Sequence, residues 1–334
     1  MKVDIFCHIF PSKLKEAFIK LNPSLESHRQ LQQNINQPAL WDMDYRLRVM
    51  EKYGDLTNVL TIAEAPVDLF PPRDAAELSR IGNNEMAEVI AKNPDKFIAG
   101  VATVPLIDID EALKETDRTI KELGFKGIQI TTNVNGKPLD LPEFMPLYAK
   151  MAEYDLPIWL HPHRDNIFPD YLTEKASKYG INGLFGWPYE TTVAMTRLIF
   201  AGVLDKYPNM KIITHHLGGM VPFFEQRIVS WFQLAARDAL AGEKQFIENL
   251  PKPPIEYYRM FYNDTAVYGS TPACTCGYDF FGAEHVLFGT DFPFDAERGH
   301  RHLRETIRSI EEMDIPASDK KKIYEDNARK LLKL

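Results

Sequence analysis

Cysteine is scarce in this sequence: 334 residues carry three, Cys7, Cys274 and Cys276. That number is small and odd, so it excludes a disulfide framework and suits a reducing, cytoplasmic compartment. Cys274 and Cys276 form Cys-x-Cys with no second pair, which argues against a structural zinc knuckle. Long hydrophobic runs are absent too, and nothing approaches the ~18 apolar residues that span a bilayer. The opening MKVDIFCHIF places Asp4 inside its short apolar run and offers no small-residue cleavage site, so no signal peptide is expected. Positive charge is not in excess: 39 Lys+Arg against 47 Asp+Glu give a net charge of -8. A phosphate-tracking nucleic-acid binder or a polybasic membrane patch would need the opposite balance. No P-loop occurs, and no glycine-rich fingerprint follows the first strand candidate, which runs instead into Cys7-His8-Ile9-Phe10-Pro11.

What is present is a globular composition, 45% hydrophobic and 26% charged, able to bury a large core. Short β-rich runs alternate with longer helical patterns along the whole chain. Strands are expected at Val3–Cys7, Asn58–Ala63, Phe97–Thr103, Gly127–Thr131, Pro157–His161, Lys211–His215, Met260–Asp264 and Val286–Thr290. Helices are expected at Asp44–Tyr53, Ala75–Lys92, Asp108–Glu122, Leu141–Tyr154, Thr191–Lys206 and Val221–Ala236. Asn93-Pro94-Asp95, Val134-Asn135-Gly136 and Tyr207-Pro208-Asn209 carry turn chemistry. Eight strands alternating with helices predict a TIM-type (β/α)8 barrel in one domain, residues 1–334. Ser12–Leu40 and Asp165–Trp187 fit the alternation poorly and read as insertions after strands one and five. Near the C-terminus Ile323, Ala328, Leu331 and Leu332 form an apolar stripe suited to packing against the barrel.

Chemistry in a barrel sits at the C-terminal ends of the strands. Those positions hold His8, Glu64, His161 with His163 two residues on, His215 and His216, and Asp291. Imidazoles and a carboxylate gathered at one barrel mouth are the donor set a divalent ion such as Zn²⁺ accepts. Any one of these histidines alone is more simply a hydrogen-bonded polar residue. Asp264, ending strand seven, reads equally as a turn residue or as a carboxylate that orients a ligating imidazole.

These residues resemble the amidohydrolase superfamily, and in particular its branch around α-amino-β-carboxymuconate-ε-semialdehyde decarboxylase. The stretches that carry the resemblance are Asp4–Pro11, Trp41–Gly54, Val134-Asn135-Gly136, Leu156–Pro162, Trp187–Thr192, His215–Arg227 and Phe288–Phe294. The resemblance implies one divalent metal, zinc or manganese, held by His8, His161 and Asp291, with His216 as general base. It implies Arg46 and Arg227 as carboxylate grips, Arg227 reaching the neighbouring subunit of a homodimer, and Trp187 as a pocket wall. The implied reaction is metal-dependent decarboxylation of a small unsaturated or aromatic acid, with hydrolysis or hydration on the same scaffold as the alternative. One departure stands out: the first His of the family's strand-one His-x-His pair is Phe6 here, which cannot ligate. Three accounts follow: a metal site with the remaining ligands, a metal-free pocket that still takes an acid, or a non-catalytic relative. Cys7 lies between Phe6 and His8 and points to the opposite face of an alternating strand, so it reads as packing.

Overall fold

The computed structural model describes residues 1–22, 29–63, 67–238 and 249–334. The first barrel strand is Lys2–Ile9 and the second Leu56–Ile62. The third is Phe97–Gly100, resuming after Val101 as Ala102–Thr103. The fourth to seventh are Ile128–Thr131, Ile158–His161, Ile212–Thr214 and Tyr262–Asn263. All pair in parallel with their neighbours in chain order. The expected eighth strand is less regular. Residues 286–292 touch their neighbours by single bridges, Val286 to Asn263 and Phe292 to Cys7. Hydrogen bonds from Ile5 N to Phe288 O, Asp291 N to Phe6 O and His8 N to Phe292 O nevertheless lay this segment beside strand one, and the ring closes.

Strands covered on both faces read as near-continuous apolar runs, which is why the sequence shows them. Strand one is buried along nearly its whole length. Its register shifts between Asp4 and Cys7, so Val3 and Ile5 face the barrel interior and then Phe6 and His8 do. Cys7 faces the helices and packs with Leu60 and Leu14, as alternation predicts. The barrel interior is filled by Val3, Ile5, Phe6, Val59, Trp159, Ile213 and Leu287. Ala328, Leu331 and Leu332 of the helix Asn327–Leu332 belong to the same cluster, so the C-terminal stripe is barrel packing.

The helices match the expected patterns with shifted ends: Met43–Met50, Pro72–Lys92, Ile109–Lys121, Met145–Tyr154, Trp187–Phe200 and Glu225–Asp238. Asp108 starts its helix by accepting from the backbone N–H groups of Asp110 and Glu111, and Asp42 caps another through Tyr45 N. Asn135 and Gly136, both at positive φ, turn a two-stranded hairpin between Asn133–Val134 and Lys137–Pro138. The stretch after strand one holds helices Ser12–Leu21 and Arg29–Ile35, and residues 165–181 after strand five form turns before the helix at Trp187. Helices Thr271–Phe281 and His300–Glu311 complete the shell.

Candidate active site

Four strand ends bring His8, His161, His215 and Asp291 to one point at the barrel mouth, and all four are buried. The donor atoms of His8, His161 and His215 lie within 4.8 Å of one another, as do those of His215, His216 and Asp291. Asp291 Oδ1 is 3.2 Å from His8 Nε2 and 3.3 Å from His215 Nε2. Neither nitrogen has an aligned hydrogen-bond partner, so two buried imidazoles aim unused nitrogens at a shared point.

Each ring is fixed through its other nitrogen. His8 Nδ1 is 2.9 Å from the Thr61 hydroxyl, which itself donates to Cys7 O and so accepts from the ring. His161 Nδ1 donates to Pro162 O at 2.8 Å, and His215 Nδ1 to the Asp264 carboxylate. Such outer contacts set the tautomer and leave Nε2 as the inward donor. Buried polar atoms of this kind, three imidazoles and a carboxylate, fit a divalent ion. Burial lowers the pKa of His8 and His161, keeping both neutral. His215 behaves oppositely: burial works against its charge, but Asp264 and Asp291 carry it up to about 9. Burial likewise opposes the Asp291 charge, and His215 and His8 outweigh it, holding the carboxyl well below the usual range.

Adjacent histidines on a strand should face opposite ways. Here the strand ends at Thr214, and His216 and Leu217 adopt positive φ (58° and 54°), which turns both rings toward the mouth. Asp291 also sits in the left-handed region, at φ 60°. Strained backbone of this kind persists where the surrounding structure enforces it. His216 stacks on His215 with ring centroids 3.8 Å apart and donates Nδ1–H to Ala266 O at 3.0 Å. Burial, then the neighbouring His215, lowers its pKa to about 4, so it is a neutral base at pH 7.

Above this cluster opens a cavity of about 1010 Å³ lined by His161, His216, Asp291, Trp187, Tyr268 and Arg164, among others. The Trp187 ring lies nearly parallel to His216 at 6.4 Å and edge-on to His161 at 5.8 Å. The Tyr268 hydroxyl donates to Asp291 Oδ2 at 3.1 Å.

The structure thus brings His8, His161, His216, Asp291 and Trp187 together. It corrects the expectation for Arg46, which is fully buried and lines no part of this cavity. Its Nε and Nη2 donate to Asn58 Oδ1, and its Nη1 to His8 O and Ala39 O, while Phe292 covers the guanidinium face at 4.7 Å. Its nitrogens thus tie strand one, strand two and the turn Pro38–Leu40 together, out of reach of the cavity. Arg227 is exposed on the helix Glu225–Asp238, away from the cavity of its own chain. Glu64 lies outside the described residues. The reading from sequence passed over Arg164 and undervalued His215. Arg164 is the one arginine among the described lining residues, and its Nη1 is 2.8 Å from Glu190. The available signal for it was its place one residue after His163, at the end of strand five.

Similarity to known proteins runs through most of the chain. An amidohydrolase family model matches residues 3–334. A 2-amino-3-carboxymuconate-6-semialdehyde decarboxylase from Dictyostelium discoideum is 30% identical, covering 93% of this chain and 87% of that protein. A gamma-resorcylate decarboxylase from Polaromonas sp. is 31% identical over 87% of each. Among solved structures, a dihydroxybenzoic acid decarboxylase from Polaromonas sp. JS666, with bound manganese and the inhibitor 2-nitroresorcinol, superposes with a TM-score of 0.80 at 26% identity. The match covers 100% of this chain and 97% of that one. A barrel closed from Lys2 to Phe292, its mouth ringed by histidines and one aspartate, and a match spanning residues 3–334 place this chain in the amidohydrolase family.

Proposed function

We propose that this protein is a metal-dependent, non-oxidative decarboxylase of a small aromatic or unsaturated carboxylic acid. The observation that carries this is the convergence of buried imidazoles and Asp291 on the floor of a cavity walled by Trp187 and entered by Arg164. The decarboxylase names of the relatives in the amidohydrolase family support it. His8, His161 and Asp291 would hold a divalent ion, and the manganese of the Polaromonas relative supports manganese beside zinc. When bound, the ion supplies Lewis acidity toward substrate oxygen.

The remaining work belongs to side chains. Trp187 offers a flat wall for a conjugated ring. Arg164 binds a substrate oxygen, since a guanidinium fork suits a carboxylate and supplies local positive charge in a chain of net charge -8. Loss of CO₂ requires a proton at the carbon left behind. His216, neutral and with Nδ1–H tied to Ala266 O, has a bare Nε2 that takes a proton from water or a substrate hydroxyl and passes it to that carbon. Three free cysteines support a cytoplasmic setting, and the exposed Arg227 supports a homodimer in which it reaches the other subunit.

The test is a screen of the purified protein, supplied with zinc or manganese, against hydroxylated benzoates and unsaturated acids, with CO₂ release and loss of acid followed together. Stoichiometric release of CO₂ is expected. Uptake of water without CO₂ would replace this reading by a hydrolase or hydratase, and turnover undiminished after chelation would remove the metal from it.

A further inference from the structure

We propose that His215, oriented by Asp264, is itself a metal ligand, so that three imidazoles and Asp291 hold the ion, with Phe6 as the platform under His215. This rests on the reading of the site as a metal centre and names a donor that reading leaves out.

Strand one presents two inward side chains at this level, Phe6 and His8, and only His8 carries a donor. The Phe6 ring stacks on His215, centroids 3.9 Å apart and planes at 15°. The phenyl group therefore supports an imidazole that arrives from strand six. Gly289 leaves room for Phe6 and for Asp264 behind His215, since a Cβ there would meet Asp264 Cβ at 2.8 Å and Phe6 Cβ at 3.2 Å.

His215 is the residue shared by both convergent donor groups, and its buried Nε2 has no aligned partner. Its Nδ1 is engaged by Asp264, whose Oδ1 accepts from Leu217 N at 3.2 Å and Ala266 N at 3.0 Å. A clamped carboxylate behind an imidazole is the arrangement that orients a ligating histidine. His216 differs: it lines the substrate cavity, and its Nδ1 faces a carbonyl. The tandem histidines thus divide into a ligand, His215, and a residue that works on substrate, His216.

The experiment loads the full-length protein with one equivalent of zinc and counts imidazoles by X-ray absorption. It also measures zinc affinity by competition with a chromophoric chelator for wild type, His215→Ala, Asp264→Asn and the pair Phe6→His with His215→Ala. Three imidazoles are expected, with affinity lowered by about 10²-fold or more in His215→Ala and by about 10- to 100-fold in Asp264→Asn. The double variant should recover at least about tenfold over His215→Ala, because the new histidine supplies a donor from strand one. Two imidazoles in the wild type would overturn the proposal, and this count stands even where a variant fails to fold by circular dichroism. Zinc held by folded His215→Ala and Asp264→Asn as tightly as by wild type would overturn it too. So would a wild type that takes up no metal, leaving His215 as a fixed cation between Asp264 and Asp291. Three imidazoles in a protein that releases no CO₂ from any acid would leave the ligand standing and remove the decarboxylase.

Discussion

His216 and Arg164 line the same cavity, and the proposed function gives them different parts of a substrate, so their variants should separate in kinetics. His216→Ala removes the neutral base and should lower kcat by about 10²-fold or more, with little change in KM. Arg164→Gln removes a charge that binds the acid in ground and transition state alike, and should mainly raise KM. Initial rates across a substrate series check both; kcat near wild type in His216→Ala would end its role in proton transfer. Asp4 gives a prediction about stability. It is buried, and desolvation lifts its carboxyl to about 7 despite the hydrogen bonds from Thr290. The folded state then binds a proton that the unfolded chain releases near pH 4. Stability should therefore fall as pH rises from about 4 to about 7, and Asp4→Asn should lose that slope. Urea unfolding of both proteins across this range checks it, and parallel curves would contradict it. Arg46, read as a substrate grip, shows where sequence stops informing. Nothing in Asp44–Arg48 reveals that Arg46 points inward to His8 O and Asn58, because helix periodicity predicts a face and not what lies behind it.

At the scale of elements, strands one to seven were legible because a parallel barrel strand is apolar on both faces and flanked by turn chemistry. Strand eight was legible only as an apolar run. Its bridges are single, and its place is fixed by bonds to strand one, a contact spanning nearly the whole chain that no local pattern encodes. His215 was legible as a strand-end imidazole but not as a ligand, because the resemblance gives the strand-six role to His216; the left-handed turn at His216 brings both rings to the mouth. Asp264, left open between turn residue and orienting carboxylate, makes both contacts: Oδ1 accepts from Ala266 N and Oδ2 from His215 Nδ1. The C-terminal helix was read correctly from its stripe. Leu332 is fully buried among the barrel residues Val3, Ile5 and Trp159. Leu332→Ala should cost about 2–5 kcal/mol, the range for truncating a well-packed core leucine. A shift in urea midpoint with an unchanged slope is the expected record. A loss well under 1 kcal/mol would show that the helix adds little to the barrel.

For the whole molecule, the exposed apolar face of the helix Glu225–Asp238 is unaccounted for by a single chain. Arg227, Trp231 and Leu234 recur at helical spacing along Glu225–Asp238, and Trp231 and Leu234 are 50% and 39% exposed. Phe223, just before this helix, is 80% exposed. Large apolar side chains gathered on one exposed helix face mark an association surface. A two-fold interface there would carry Arg227 to the partner, and a self-complementary patch is what such symmetry requires. The expected species in sedimentation is a dimer that Trp231→Glu dissociates. Function across the interface has a sharper test. If Arg227 serves the neighbouring site, Arg227→Gln and His216→Ala homodimers are each nearly inactive. Subunits exchanged at equal amounts then form heterodimers that hold one native site each, so about a quarter of the wild-type rate should return. No recovery after exchange, with mixed dimers present by mass, would confine Arg227 to its own chain and leave carboxylate binding to Arg164.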